Sequence, residues 1–145
     1  YLESIEDSIP DKGLAQKFIG QLYQCIGDDK KSLNYILRAK ELLPDDTSLL
    51  MNLGYHYLDN GIPKLAASYF EKYLSTEAPT ARVLCFLGRA YDYDGDKDKA
   101  EHALQKAVKK MLDDHISGKR NWQNQLWAIY SFQNWFYDND IKFKL

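Results

Sequence analysis

The sequence of 145 residues lacks the features that mark membrane, secreted or nucleic-acid-binding proteins. It has no run of eighteen apolar residues that could cross a bilayer, and it has no signal peptide. Its formal net charge is only −2, with both signs interspersed, which gives little attraction to nucleic acid or acidic membranes. We therefore expect neither nucleic acid nor a membrane among its partners.

Cysteine is scarce, and the chain does not begin with methionine. The two cysteines, Cys25 and Cys85, belong to no metal-ligand spacing. Isolated cysteines in a helical chain are more often buried thiols than a disulfide, although a disulfide between these two stays open. The thiol interpretation favours an intracellular, cytoplasmic location. The start at Tyr1 indicates a fragment or a processed product, from which compartment signals could have been removed.

Residue patterns for catalysis, metal binding and phosphate binding are also missing. The acidic stretch 92–98 resembles a calcium loop, but neither possible start places Gly at the sixth position and Glu at the twelfth. It is better explained as a turn in which Asp96 or Asp98 stabilises the next helix. No triad spacing and no Gly-rich phosphate loop occurs, and the basic and aromatic stretch 119–122 is too short to indicate nucleic-acid binding. We predict no enzymatic activity, no cofactor and no metal.

What the sequence does contain is a pattern that recurs every thirty-four residues. Five columns keep this spacing without an insertion: Gly20, Gly54 and Gly88; Tyr23, Tyr57 and Tyr91; Gly27, Gly61 and Gly95; Ser32, Ala66 and Ala100; Ile36, Phe70 and Leu104. A fixed period of this length is typical of stacked supersecondary units that bury a shared core. The pattern therefore predicts a repeat architecture.

Each unit has the pattern of two short amphipathic helices joined by a tight turn. In the second unit, apolar residues at i, i+3, i+4 and i+7 predict a first helix from about Thr47 to Asp59. Gly61 then ends this helix in a left-handed conformation. Pro63 suits the first turn of the next helix, where its missing N–H is not required.

Glycine inside a helix requires an explanation, because it costs roughly 1 kcal/mol relative to alanine. Gly20, Gly54 and Gly88 each lie within a predicted first helix. We expect each glycine to face the small residue at position 32, 66 or 100, at a close contact between the two helices of its unit, with bulky residues filling the space around them.

The columns resemble the tetratricopeptide repeat family, whose units place a bulky residue, Leu-Gly, Tyr, Ala, Phe, Ala and a closing Pro in this order. The matching residues are Ile19, Gly20, Tyr23, Gly27, Ile36, Ala39 and Pro44 in the first unit; Leu50, Leu53, Gly54, Tyr57, Gly61, Ala66 and Phe70 in the second; and Leu84, Leu87, Gly88, Tyr91, Gly95, Ala100, Leu104 and Ala107 in the third. Gln16, Ser32, Tyr73 and Ala78 depart from the pattern. The resemblance implies an all-α fold, a right-handed α-solenoid of three helix pairs at 13–46, 47–80 and 81–114. Residues 1–12 would be a linker or the tail of a preceding helix.

The regular spacing fails after Lys110, and residues 115–125 are predicted to be an insertion. The pattern returns in residues 126–145, where Ile129, Phe132 and Phe136 are spaced to pack on the third unit. We interpret this aromatic segment as a partial or capping fourth repeat.

Three further aromatic residues of this segment, Trp127, Tyr130 and Tyr137, point elsewhere on a helical wheel. One interpretation is a cap that folds back on the array, or a face left uncovered where the chain ends. The other is a surface for a partner or for self-association as a homodimer, because large exposed aromatic patches usually mark contacts.

In the family, the first helices of successive units line a concave groove that receives a peptide or a helix. The residues implied on this face are Lys17, Phe18, Gln21 and Gln24; Ser48, Met51, Asn52 and Tyr55; and Arg82, Cys85, Phe86 and Arg89. This mixture of cationic, amide and aromatic side chains suits a protein or peptide that carries carboxylates beside an apolar side chain.

Some family members bind the acidic C-terminal tails of cytosolic heat-shock chaperones through a two-carboxylate clamp. The corresponding residues here are Lys17, Gln21, Asn52, Arg82 and Phe86. Lys17 and Asn52 match, Gln21 and Arg82 are near matches, and Phe86 removes one bidentate carboxylate partner. Chaperone-tail binding is therefore kept only as a minor hypothesis.

Two functional hypotheses remain. The first is a protein–protein interaction module, acting as a scaffold or adaptor, that holds a peptide or a partner segment along the groove. The second is a structural or regulatory repeat segment of a larger enzyme or assembly, in which the aromatic helix is an internal joint. Repeat arrays host many partners, so the pattern alone does not choose between these hypotheses.

Overall fold

The computed structural model describes residues 9–138, with side chains through residue 131. This part of the chain consists of helices and short connections. The helices are α1 (Lys12–Ile26), α2 (Asp29–Leu42), α3 (Ser48–Asp59), α4 (Pro63–Thr76), α5 (Ala81–Asp94), α6 (Lys97–Ile116) and α7 (Gln123–Asp138). The predicted all-α fold is confirmed.

The helix ends follow from local sequence chemistry. Asp28 caps α2 by accepting a hydrogen bond from the backbone N–H of Lys31 at 3.1 Å, and Thr80 caps α5 in the same way. Gly61 has a φ of 71°, so the left-handed helix end predicted there is confirmed. Pro63 is the first residue of α4, as expected. Asp96 caps α6, which confirms that the acidic stretch is a turn between helices.

The helices form three antiparallel pairs that stack in chain order. Within the described residues, α1 packs on α2, α3 on α4 and α5 on α6, and α2 and α4 each contact the first helix of the next pair. The first helices α3 and α5 also touch each other. This is the predicted α-solenoid of three pairs, with its core between neighbouring helices.

The close contact within each pair is confirmed, and the atoms nearest to each glycine belong to bulky residues. A Cβ on Gly54 would lie 2.5 Å from Phe70 Cε1, and one on Gly20 would lie 2.8 Å from Ile36 Cδ1. The glycines thus accommodate mainly the bulky residues at 36, 70 and 104. Of the small residues, Ala100 is also close, with its carbonyl oxygen 3.4 Å from a Cβ built on Gly88. Phe70 is completely buried, so its ring could not move aside for an added methyl group.

The break in the repeat spacing corresponds to a longer helix followed by a short connection. Helix α6 has 20 residues, against 14 in α2 and in α4, and it continues to Ile116, past the start of the predicted insertion at 115. Helix α7 begins at Gln123 and contacts α6. The predictions for residues 1–8 and 139–145, and those for the side chains of Phe132 and Phe136, lie outside the described residues.

The cysteines are both free, but only one is partly buried. Cys85 is half-buried, whereas Cys25 is exposed, so the expectation of a buried thiol at 25 is wrong. Cys25 occupies the same repeat position as Asp59 and Tyr93, and both of these residues are exposed too. The position therefore faces outwards in every pair.

None of the helices in the described range combines the length and the apolar composition that a bilayer span requires.

Candidate binding groove

A groove of about 620 Å³ lies where α3, α5 and the connection between α6 and α7 meet. We call it the central groove. Its lining residues are Ser48, Met51, Asn52, Tyr55, Tyr73, Ala78, Pro79, Thr80, Ala81, Arg82, Lys110, Asp114, Lys119, Arg120 and Trp122. Five of these residues (Ser48, Met51, Asn52, Tyr55 and Arg82) are among those predicted for the concave face.

Aromatic packing fixes the apolar wall of the central groove. The ring of Tyr55 meets that of Phe86 edge to face, with centroids 4.3 Å apart, and it meets Phe70 at 5.6 Å. Because Phe70 is fully buried, this cluster ties the groove wall to the core between the second and third pairs. Edge-to-face pairs of this kind add about 0.5–1.5 kcal/mol beyond the area they bury, so the wall is rigid.

Tyr55 also contributes a polar group, its hydroxyl, to this wall. Burial raises the pKa of its hydroxyl, although the Arg82 guanidinium, which lies beside it and hydrogen-bonds it, acts in the opposite direction. The hydroxyl is therefore neutral at physiological pH. Arg82 remains largely exposed, so this contact orients the guanidinium without removing it from solvent.

Positive charge dominates the ionisable residues of the central groove. The lining includes four cations and a single carboxylate, Asp114. That carboxylate is bound to Lys110 at 2.8 Å, and the two charges offset each other. Arg82, Lys119 and Arg120 have no ion-pair partner among the described residues. Arg120 instead lies over the ring of Trp122, with 4.5 Å between the guanidinium carbon and the ring centroid.

Two residues that line the central groove have a buried hydrogen-bond donor without an acceptor. Asn52 Nδ2 and Trp122 Nε1 are both inaccessible to solvent, and neither has a hydrogen-bond partner among the described residues. A buried polar group without a partner costs about 1–3 kcal/mol. Two residues of the groove lining therefore carry buried donors that stay unsatisfied within the described part of the fold.

The predicted groove residues of the first pair lie outside the central groove. Lys17 Nζ binds Asp46 Oδ2 at 2.6 Å, in the connection between the first two pairs. Asp46 also accepts hydrogen bonds from the backbone N–H and the hydroxyl of Ser48. Phe18 is 51% exposed, and Gln21 is half-buried. The charge of Lys17 is thus already matched within the fold.

Three predicted residues of α5 also lie outside the groove lining. Phe86 packs beneath Tyr55 and contributes to the core cluster, as does half-buried Cys85. Burial raises the pKa of the Cys85 thiol, which keeps it protonated and unreactive. Arg89 lies over the rings of Phe86 and Tyr93, at 5.4 and 5.8 Å from their centroids.

Most of the groove residues that sequence reasoning did not place there come from elements other than α3 and α5. Tyr73 lies on a second helix, and Lys119, Arg120 and Trp122 follow α6. The stretch 119–122 was visible in the sequence as a basic and aromatic cluster. Its position beside α3 and α5 depends on the length of α6, which the repeat pattern does not encode.

A second exposed aromatic surface lies on α7. Trp127 is 67% exposed and Tyr130 is 54% exposed, with their ring centroids 5.8 Å apart. They border a shallow recess of about 650 Å³, whose other lining residues are His115, Gln123, Asn124 and Leu126. The side chain of Tyr137 lies outside the described residues. Ile129 is half-buried.

The described residues contain no group of three or more His, Cys, Asp or Glu side chains placed to hold a metal ion.

Comparison with known proteins identifies the repeat and the fold. Residues 81–109, which span most of the third pair, match the tetratricopeptide repeat family. No curated protein matches the chain significantly.

Three solved structures of MamA are similar to this chain. A MamA RS-1 ArsTM double mutant has a TM-score of 0.68 at 24% identity, over 74% of this chain and 61% of that one. A crystal structure of MamA protein has a TM-score of 0.68 at 22% identity, over 78% of this chain and 62% of that one. Another crystal structure of MamA has a TM-score of 0.69 at 22% identity, over 82% of this chain and 68% of that one. At these identities the likeness shows the fold alone.

The chain spans about three fifths of the first two of these structures. The match at 81–109, the stacked helix pairs and the solved structures agree with the columns of the sequence. The third helix pair thus matches a tetratricopeptide repeat, and the chain has the fold of the MamA structures.

Proposed function

We propose that the chain is a protein–protein interaction module that binds a peptide, or an extended segment of a partner protein, in the central groove. The observation that supports this most strongly is that one groove combines an aromatic wall with cations that have no ion-pair partner among the described residues. Such a surface binds apolar side chains and fixes their orientation through a few polar contacts.

The groove residues favour a ligand that carries both apolar and acidic residues. Met51 and Tyr55 provide the apolar surface, while Arg82, Lys119 and Arg120 provide charge that no carboxylate of the described residues balances. Buried and partly buried cations form their strongest hydrogen bonds with carboxylates. Because Lys17 is already bound to Asp46, chaperone-tail binding through the clamp residues of the first pair loses support.

A selection from a random peptide library on the immobilised chain tests the proposal. We expect the recovered peptides to share an apolar residue near an acidic residue, and to compete with one another for one site. Recovery of peptides without a common pattern, or of none above the level of an unrelated helical protein, would contradict the proposal.

The exposed rings on α7 support a second candidate. In it, Trp127 and Tyr130 form a contact surface for a second copy of the chain or for a further domain. This would suit a repeat segment of a larger enzyme or assembly, in which α7 is a joint. The two candidates use different surfaces and can be tested separately.

A further inference from the structure

The first two helix pairs each contain two stacked tyrosines, one on each helix. In the first pair, the rings of Tyr23 and Tyr35 have centroids 5.5 Å apart and planes inclined by 23°. In the second pair, Tyr57 and Tyr69 occupy the same repeat positions, with centroids 5.5 Å apart and planes inclined by 8°. Tyr57 and Tyr69 also pack against the buried cluster that α2 and α3 form. The ring of Tyr69 thus helps to fill the space between neighbouring pairs.

The third helix pair lacks the second ring. Tyr91 keeps the first position of the stacked pair, but Ala103 occupies the second. Both residues line a cavity of about 440 Å³ between α4, α5 and α6. We call it the α4–α6 cavity, and Leu74 and Leu87 give it an apolar lining. The alanine therefore leaves open a space that corresponds to the one Tyr69 fills in the second pair.

The ring of Tyr91 is already held in the orientation that a stacking partner requires. Its hydroxyl donates a hydrogen bond to the Glu71 carboxylate. The Lys99 ammonium lies over the ring, 5.5 Å from its centroid, just as Lys31 lies 5.1 Å from the centroid of Tyr23 one pair of repeats earlier. The first pair combines this ammonium with a second ring, whereas the third pair has the ammonium alone. A ring added from outside would complete the same arrangement.

The charges that line the cavity balance one another. The ammonium of Lys99 is 3.0 Å from the carboxylate of Asp96, to which it is paired. One further carboxylate, Asp98, and one further ammonium, Lys106, line the cavity, and neither has an ion-pair partner among the described residues. The cavity therefore has no excess charge that would select an acidic or a basic group. An apolar wall with one open aromatic face favours a neutral ring instead.

The α4–α6 cavity continues into a second recess, which indicates what carries the ring. This recess has a volume of about 400 Å³ and shares Leu74, Leu84 and Lys106 with the cavity. It extends to Pro79, in the connection between α4 and α5. A free aromatic molecule would use the cavity alone, whereas a ring on a polypeptide brings flanking residues that the recess can accommodate. The shape thus favours a segment of a partner protein.

We propose that the α4–α6 cavity is a second binding site, which takes an aromatic side chain of a partner protein. The ring stacks on Tyr91 at the position that Tyr69 holds in the second pair, and the residues beside it lie in the adjoining recess. None of the described residues that line the cavity lines the central groove. The site is therefore independent of the proposed function, and it lets the chain hold two partner segments at once.

Methyl signals in magnetic resonance spectra test the site. The probes, at millimolar concentration, are three short uncharged peptides of glycine and serine, blocked at both ends, with tyrosine, leucine or alanine at the centre. We expect the tyrosine peptide to shift the methyl signals of Leu74 and Ala103. The leucine peptide should bind about fivefold more weakly, because it cannot stack on a ring. The methyl signal of Met51, in the central groove, is the internal control and should stay in place.

Each other pattern of shifts contradicts a part of the proposal. Equal affinities for the tyrosine and leucine peptides would mark a general apolar recess and overturn the aromatic assignment. Equal affinity for free para-cresol, the side chain of tyrosine alone, would assign the cavity to a small aromatic molecule and overturn the protein partner. The site itself is wrong if no probe shifts Leu74 and Ala103, if the alanine peptide shifts them equally, or if only Met51 responds.

Filling the open position provides the second test. Ala103→Tyr restores the ring that the first two pairs have at this position. We expect it to raise the midpoint temperature of unfolding by a few degrees and to weaken binding of the tyrosine peptide by about tenfold or more. Gln105→Tyr, which adds the same ring to α6 outside the cavity lining, is the control and should do neither. A lower midpoint temperature for Ala103→Tyr, or unchanged binding, would show that the position is not open to a ring and would overturn the site.

Discussion

At the scale of single residues, the glycine in the first helix of each pair determines how closely the two helices approach. The space that a Cβ would fill at Gly54 is taken by the Phe70 ring, which is fully buried and cannot shift. The helix-propensity gain of an alanine, about 1 kcal/mol, is smaller than the roughly 1–3 kcal/mol lost by overpacking a rigid site.

We therefore expect Gly54→Ala to lower the free energy of unfolding by up to about 2 kcal/mol in urea denaturation. The double variant Gly54→Ala with Phe70→Leu should lose less than the sum of the two single variants, because leucine leaves room for the added methyl group. Additive losses would show that Gly54 and Phe70 do not share this contact.

Asp46 links the stability of the chain to pH. Its partial burial raises the pKa of the carboxyl, but hydrogen bonds from Lys17 and Ser48 outweigh this and hold the pKa below its ordinary value of 3.8. A depressed folded-state pKa stabilises the fold above about 3.8, and this contribution is lost as pH falls through the folded value.

Asp46→Asn should consequently lose less stability than the parent chain between about pH 5 and about pH 2, with a difference of about 0.5 kcal/mol. Chemical denaturation at a series of pH values measures this difference. Asp45→Asn, which removes the neighbouring exposed carboxylate, is the matched control and should follow the parent chain. Parallel pH profiles for all three proteins would contradict the role assigned to Asp46.

The residue scale also shows how far sequence reasoning reaches. The need for a glycine at 54 follows from the cost of glycine in a helix, but the partner does not, because the helix crossing determines whether residue 66 or 70 faces it. Similarly, Lys17 lies where a clamp residue of the family would lie. Asp46 is twenty-nine positions away in the sequence, and only the fold brings its Oδ2 atom to 2.6 Å from Lys17 Nζ.

At the scale of helices, capping side chains mark the starts of α1, α2, α5 and α6. The Thr80 hydroxyl accepts a hydrogen bond from the backbone N–H of Val83 at 3.3 Å at the start of α5. Thr47 occupies the corresponding place before α3 and makes no capping hydrogen bond. Its hydroxyl donates instead to the exposed Glu77 carboxylate.

We expect Thr80→Ala to destabilise the fold by about 1 kcal/mol, and Thr47→Ala by a few tenths at most. Thermal or urea unfolding of the two variants measures the contrast within one chain. Equal losses would mean that the cap at Thr80 contributes no more than an exposed surface contact.

The elements differ in how well the sequence predicts them. Helices α1 to α5 follow from the apolar spacing and from Asp, Gly and Pro at their ends, and these signals are local. No comparable local signal predicts that α6 continues to Ile116. The repeat pattern predicts a break there, whereas the chain remains helical. This longer helix carries residues 119–122 to the groove, so the groove end could not be predicted from the columns.

At the scale of the whole molecule, the described residues present candidate surfaces for partners, and two of these, the central groove and the surface on α7, differ in chemistry. The central groove combines an aromatic wall with unmatched positive charge. The surface on α7 is dominated by two exposed rings, Trp127 and Tyr130. Apolar aromatic patches favour association, whereas a charged groove favours a ligand of opposite charge.

If the α7 surface binds a second copy, sedimentation equilibrium should show a molar mass that rises with protein concentration. Trp127→Ser with Tyr130→Ser should return the chain to a monomer. Phe18→Ser with Leu22→Ser, which removes two exposed apolar residues of α1, is the control and should leave association unchanged. A chain that remains monomeric at the highest concentration would exclude self-association through α7.

The central claim is that a peptide binds in the groove between α3 and α5, and two arginines of α5 allow the most direct test. Arg82 lines the central groove, whereas Arg89 lies on the same helix outside the lining, and both are exposed. The measurement is the affinity of one library-selected peptide for the parent chain, for Arg82→Glu and for Arg89→Glu. The account predicts that Arg82→Glu weakens binding by about tenfold or more and that Arg89→Glu leaves it within about twofold. Unchanged affinity for Arg82→Glu, or equal losses for both variants, would contradict it.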